Sequence, residues 1–102
     1  MSALSTSSDT ASVYAHVLIS GKVQGVCYRA ATREKAVAIG LCGWVRNLRD
    51  GRVEAVFEGP PATISQMINW CHQGPPAALV ETVQVDYQAA TGLIGFQITY
   101  ER

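Results

Sequence analysis

Residues 21–29 read Gly21-Lys22-Val23-Gln24-Gly25-Val26-Cys27-Tyr28-Arg29, and they combine the groups that hold an anion. An apolar run with strand character leads in and a helical pattern leads out. The stretch is therefore a strand-to-helix loop. Such a loop turns several backbone N–H groups toward one point, and the first helical turn adds its own unpaired N–H groups. Arg29, at the helix mouth, adds a permanently charged fork that reaches two oxygens of one anion. Phosphate is the anion this arrangement suits best. The same residues also permit a plainer reading, in which Gly21 and Gly25 only turn the chain and Arg29 is a solvated side chain.

The rest of the chain must position that loop. Its 102 residues suit one compact domain. Hydrophobic residues make up 48% and charged residues 16%, enough apolar material for one core. Eight Lys plus Arg balance eight Asp plus Glu. That balance argues against a nucleic-acid partner or an anionic membrane surface. No apolar stretch approaches the ~20 residues of a membrane helix, and the N-terminus lacks the pattern of a secretory signal. Cys27, Cys42 and Cys71 have no C-x-x-C spacing. A metal site, a cluster or a disulfide framework is thus not expected, no cofactor is implied, and a cytoplasmic location is the default.

Residues 1–12 are small and polar and read as a flexible tail before a domain over 13–102. A strand is expected at 13–20, with Ala15, Val17 and Ile19 on one face and His16, Leu18 and Ser20 on the other. A helix follows at 28–39, with Ala36 and Ile39 inward, Arg33, Glu34 and Lys35 outward, and Gly40 as its stop. A second strand at 41–48 turns through Arg49-Asp50-Gly51-Arg52, a hairpin signal, into a third at 53–58. That third strand buries Val53, Ala55 and Phe57. Gly59-Pro60-Pro61 then starts a helix near Ala62, whose Ile64, Met67, Ile68 and Cys71 follow helical spacing. Strands at 78–87 and 94–100 close the chain. The order is β-α-β-β-α-β plus a closing strand, an α+β class. It predicts a ferredoxin-like split β-α-β sandwich with an antiparallel sheet and both helices on one face.

Two segments then carry a resemblance to a known family. Residues 21–29 resemble the first signature of the acylphosphatases, G-x-V-Q-G-V-x-[FY]-R. Gly43-Trp44-Val45-Arg46-Asn47 resembles the second, a glycine, an aromatic, a small apolar residue, a variable residue and an asparagine. The resemblance runs from about Val13 to Arg102. It implies metal-free hydrolysis of an acyl phosphate to a carboxylate and inorganic phosphate, with no cofactor, by a chain that is usually a monomer. In that picture the backbone N–H groups of Gln24, Gly25, Val26, Cys27, Tyr28 and Arg29, with the Arg29 guanidinium, hold the phosphoryl oxygens. Asn47 aims the attacking water. Without the signature, Asn47 reads better as a turn residue ahead of Asp50-Gly51.

The chemistry of these residues fits that division. Arg29 can offset charge spread over the equatorial oxygens of a loose transition state. Asn47 can donate and accept at once but is no base. An acyl phosphate leaves as a carboxylate of pKa roughly 4, which needs no proton. An alkyl phosphate leaves as an alkoxide and calls for an acid or a metal; neither is evident in the sequence near the loop. Thiol chemistry on phosphate needs cysteine and arginine to bracket several residues, and only Tyr28 separates Cys27 from Arg29. Cys27→Ser is thus expected to keep most activity. Cys42 and Cys71 read as core fillers, His16, His72 and Lys22 as surface residues, and Trp44 and Tyr28 as core or pocket wall. Three alternatives stand beside it: an RNA-binding sheet, a non-catalytic anion-binding regulatory domain, and the related domain of a large hydrogenase-maturation protein. The first is disfavoured because the outward His16, Leu18, Glu54, Val56 and Glu58 offer no aromatic platform. The last is disfavoured by the short chain, which suggests a free-standing enzyme.

Overall fold

The computed structural model describes residues 11–101, so the tail expected at 1–12 lies outside it but for Ala11 and Ser12. Seven elements follow one another: β1 (Val13–Lys22), α1 (Tyr28–Ala38), β2 (Cys42–Asn47), β3 (Val53–Gly59), α2 (Pro61–Gln73), β4 (Leu79–Ala89) and β5 (Phe96–Ile98). They form one sheet in the order β4-β1-β3-β2-β5. Neighbours are antiparallel except β2 and β5, which are parallel. The first six elements make the expected split β-α-β sandwich. The antiparallel sheet expected from sequence is therefore mixed, because β5 adds itself outside β2 and runs with it.

Side-chain alternation builds the core. Ala15, Val17 and Ile19 of β1 and Val53, Ala55 and Phe57 of β3 are fully buried. Both helices cover this face, α2 through Ile64, Met67 and Cys71 at helical spacing. Each Val, Ile, Phe or Met side chain among these contributes about 1.5–3 kcal/mol on leaving water. On α1 the inner stripe is Tyr28, Thr32 and Ala36, with Ile39 only partly buried at the helix end. Thr32 can occupy that stripe because its Oγ1 donates to the Tyr28 carbonyl at 2.7 Å, leaving no unpaired hydroxyl in the core.

The opposite face departs from expectation. His16 and Leu18 are half-exposed, but Val56 is fully buried and Glu58 only 5% exposed. Val56 lies in register between His16 and Trp44, which flank it. Glu58 is covered by the segment crossing from β4 to β5, whose Thr91, Gly92 and Leu93 N–H groups and Thr91 hydroxyl all donate to its carboxylate. This face also carries aromatics, since Tyr14 and Trp44 share it, and the Arg46 guanidinium lies 5.1 Å from the Trp44 ring centre. Glu54 there accepts from Arg46 Nε at 2.7 Å and sits 2.6 Å from His16 Nε2.

Candidate active site

β1, β2 and β5 run in one direction, so their C-terminal ends open at the same end of the sheet, where α1 begins. A cleft of about 460 Å³ lies there, lined by Val23, Gly25, Cys27, Tyr28, Arg29, Ala30, Asn47, Ile98 and Tyr100. It joins the first helix mouth to the last residue of β2. The two segments singled out in the sequence meet in it.

The loop between β1 and α1 keeps its N–H groups free. Among the described residues, the backbone N–H groups from Gln24 to Arg29 donate to no protein acceptor, whereas Ala31 N–H returns to the Cys27 carbonyl at 3.0 Å. Gly25 and Cys27 both have positive φ, 75° and 66°. Cys27 is the residue just before α1 and holds the left-handed conformation without a side-chain cap. For a non-glycine residue that conformation costs about 1–2 kcal/mol. The bend it makes is what sets α1's free N–H groups against the loop's own, the concave arrangement that suits an anion.

Arg29 is half-buried, and no carboxylate among the described residues pairs with it. Its guanidinium carbon sits 5.6 Å from the centre of the Tyr100 ring, a cation–π contact. Tyr100 is pinned on both sides. Thr99 N–H donates to the Val45 carbonyl at 2.8 Å, and Arg49 N–H donates to Glu101 Oε1 at 2.6 Å. From the sequence, Tyr100 reads only as the end of the closing strand expected at 94–100. Nothing in its spacing reveals that β5 runs parallel beside β2 and delivers it to the cleft.

Asn47 ends β2 and lines the cleft. Its Oδ1 is buried and has no hydrogen-bond partner among the described residues. A buried acceptor left unpaired costs about 1–3 kcal/mol, so the atom calls for a donor that the protein does not supply, such as a water.

Of the six expected phosphate-loop residues, Gly25, Cys27, Tyr28 and Arg29 line the cleft, while Gln24 and Val26 do not. Val26 is 9% exposed and joins the core. Gln24 turns its carboxamide away, donating from Nε2 to the Leu48 and Arg52 carbonyls at 2.7 and 2.9 Å. The Tyr28 phenol points into the core, where it donates to the Cys71 carbonyl at 2.7 Å and packs 5.7 Å from the Trp70 ring. Burial, chiefly, and the neighbouring Cys71 raise that phenol's pKa far above its usual value. Burial likewise pushes the Cys71 thiol up to about 12, and Cys71 is a core filler as expected. Cys42 is only half-buried, while His72 and Lys22 are exposed. Among the described residues, no group of three or more His, Cys, Asp and Glu is placed to hold a metal ion. No helix among them is long and apolar enough to cross a membrane.

Fold and site together define a small ferredoxin-like α/β sandwich with a loop of unpaired N–H groups at the mouth of its first helix. The acylphosphatase family model matches residues 15–98. An acylphosphatase of Gloeobacter violaceus is 62% identical over 86 residues, 84% of this chain and 92% of that protein. The structure of an acylphosphatase from Coxiella burnetii superposes with a TM-score of 0.84 at 37% identity, covering 87% of this chain and 94% of that one. The acylphosphatase from Bacillus subtilis gives a TM-score of 0.84 at 31% identity, over 86% and 99% of the two chains. The chain belongs to the acylphosphatase family.

Proposed function

We propose that this acylphosphatase cleaves the carboxyl–phosphate bond of small acyl phosphates by direct attack of water on phosphorus, without a metal. The N–H groups from Gln24 to Arg29 and the Arg29 guanidinium receive the phosphoryl oxygens. They offset the charge that the transition state spreads over those oxygens. Asn47 Oδ1 accepts a hydrogen bond from the attacking water and fixes its line of approach, which is an entropic contribution. The carboxylate departs unprotonated, since its conjugate acid has a pKa of about 4. Among the described residues, the cleft lining contains no carboxyl and no imidazole that could protonate an alkoxide, so alkyl phosphomonoesters are poor substrates.

The support for this reading is one juxtaposition: Asn47, whose buried Oδ1 has no partner among the described residues, lines the same cleft as Arg29 and as Gly25, Cys27 and Tyr28, whose N–H groups are unpaired. We further place the protein in the cytoplasm as a monomer that binds no nucleic acid. An exposed free thiol at Cys27 suits a reducing compartment, and the zero formal charge offers no field for a polyanion.

Turnover of benzoyl phosphate and acetyl phosphate, set beside glycerol phosphate and run with a chelator, tests the proposal. Hydrolysis of the two acyl phosphates, unaffected by chelator and competitively inhibited by inorganic phosphate, is expected. Turnover of glycerol phosphate alone would overturn the substrate class. Phosphate binding with no turnover of any substrate would make the protein an anion-binding regulatory domain instead.

A further inference from the structure

The Gln24 carboxamide lies in the mouth of the β2–β3 hairpin. Leu48 N–H donates to the Arg52 carbonyl at 2.8 Å, and Gly51 N–H donates to the Leu48 carbonyl at 3.2 Å, closing that turn. The same two carbonyls accept both hydrogens of the Gln24 NH2 group, at 2.7 and 2.9 Å. Two carbonyl oxygens facing one group require a double donor. The amide nitrogen supplies that, and a carboxylate or a thioether does not. Leu48 follows Asn47 directly in the chain, while Gln24 begins the run of free loop N–H groups. One side chain therefore ties the phosphate-holding loop to the backbone that presents the water-holding amide.

We propose that Gln24 is a positioning residue: its side chain fixes the distance between the anion loop and Asn47 and has no contact with phosphate itself. This rests on the function proposed above. Asn47 can align a water on phosphorus only if the loop that holds the phosphate stays in one place relative to it. The loop has no other side-chain hydrogen bond to the hairpin among the described residues. Misplacement of reacting groups by about 1 Å costs roughly a hundred-fold in rate. Binding of phosphate by a row of backbone donors tolerates such a shift better than in-line attack does. The brace should thus act on kcat far more than on phosphate affinity.

The test is a double-mutant cycle on benzoyl phosphate hydrolysis with Gln24→Met, Asn47→Ala and the pair, each checked for cooperative unfolding. Gln24→Met keeps length and volume but donates to neither carbonyl. The expected result is a fall in kcat of about 10- to 100-fold for Gln24→Met, with the inhibition constant of inorganic phosphate changed less than about 3-fold. In the Asn47→Ala background the same substitution should cost less than about 3-fold, since there is no aligned water left to misplace. Single effects that multiply would overturn the proposal. So would a large loss of phosphate affinity with kcat preserved, which would mean direct contact with the anion. Gln24→Ala serves as a second donor-free variant, and if neither variant folds, Gln24 is a folding residue and the proposal falls. Wild-type protein inert toward benzoyl phosphate would instead refute the proposed function, a different failure.

Discussion

The guanidinium of Arg29 rests 5.6 Å from the centre of the Tyr100 ring, so the cation that faces the cleft is held by a residue 71 positions further along the chain. The ring occupies one flank of the guanidinium and leaves its N–H edge free for an anion. Removing the charge should be far more damaging than removing the ring. Arg29→Ala is expected to lower kcat/KM for benzoyl phosphate by about a hundred- to a thousand-fold. Tyr100→Leu should lower it by about 3- to 10-fold, the weight of a surface cation–π contact of about 0.5–1 kcal/mol with some lost pre-organisation. Steady-state kinetics on both variants checks the order, and equal losses would contradict it.

Asn47 has a different signature. Under the proposed mechanism, Asn47→Ala removes the group that orients water but leaves the loop donors in place. The expected outcome is a fall in kcat of about a hundred-fold with phosphate inhibition nearly unchanged. Measuring the phosphate inhibition constant alongside kcat separates this from a general collapse of the cleft.

Acid should loosen the segment that leads into β5. Burial alone would raise the Glu58 pKa, but hydrogen bonds from Thr91, Leu93 and Gly92 outweigh it and hold the carboxyl below its usual range. Burial also opposes ionisation of Glu54, and its bonds to His16 and Arg46 again prevail. A depressed folded-state pKa stabilises the fold fully above the unfolded value of about 4.3, and this contribution disappears as pH falls through the folded-state value. Unfolding free energy should therefore drop below about pH 4. Glu58→Gln should cost about 1–3 kcal/mol at pH 7, because an amide NH2 faces donors that a carboxylate satisfied, and should flatten the acid limb. Denaturant titrations across pH read both effects.

Gly43 illustrates how closely β2 and β3 approach. Its φ is 145°, and a Cβ there would lie 1.8 Å from the Val56 carbonyl oxygen. Gly43→Ala should destabilise by about 3 kcal/mol or more, since backbone must move. At Gly51, where φ is 98° and a Cβ would meet nothing within 4 Å, the same change should cost only the strain of the dihedral, about 1–2 kcal/mol. Chemical unfolding of the two variants measures the difference.

Much of the architecture was legible in the residues. Alternation of Ala15, Val17 and Ile19, the spacing of Ile64, Met67 and Cys71, and the Asp50-Gly51 turn each reflect a local period or turn geometry that acts within a few residues. Arg29 and Asn47 stand out in the sequence for another reason: two short motifs resemble a family's signatures, whereas the residue types alone leave Arg29 open and favour a turn role for Asn47. What escaped depends on distant pairing. The burial of Glu58 follows from a segment more than thirty residues away that crosses the sheet. Tyr100 reaches the cleft only because β5 runs parallel to β2. The Gln24 side chain reads as part of a phosphate loop until the hairpin carbonyls are seen beside it.

Hydrolysis of benzoyl phosphate in heavy-oxygen water, with mass analysis of both products, tests the central claim most directly. If Asn47 aims water at a phosphorus held by the loop and Arg29, the label appears in inorganic phosphate and the benzoate stays unlabelled. Label in the benzoate would mean attack at the carbonyl carbon and would contradict the account.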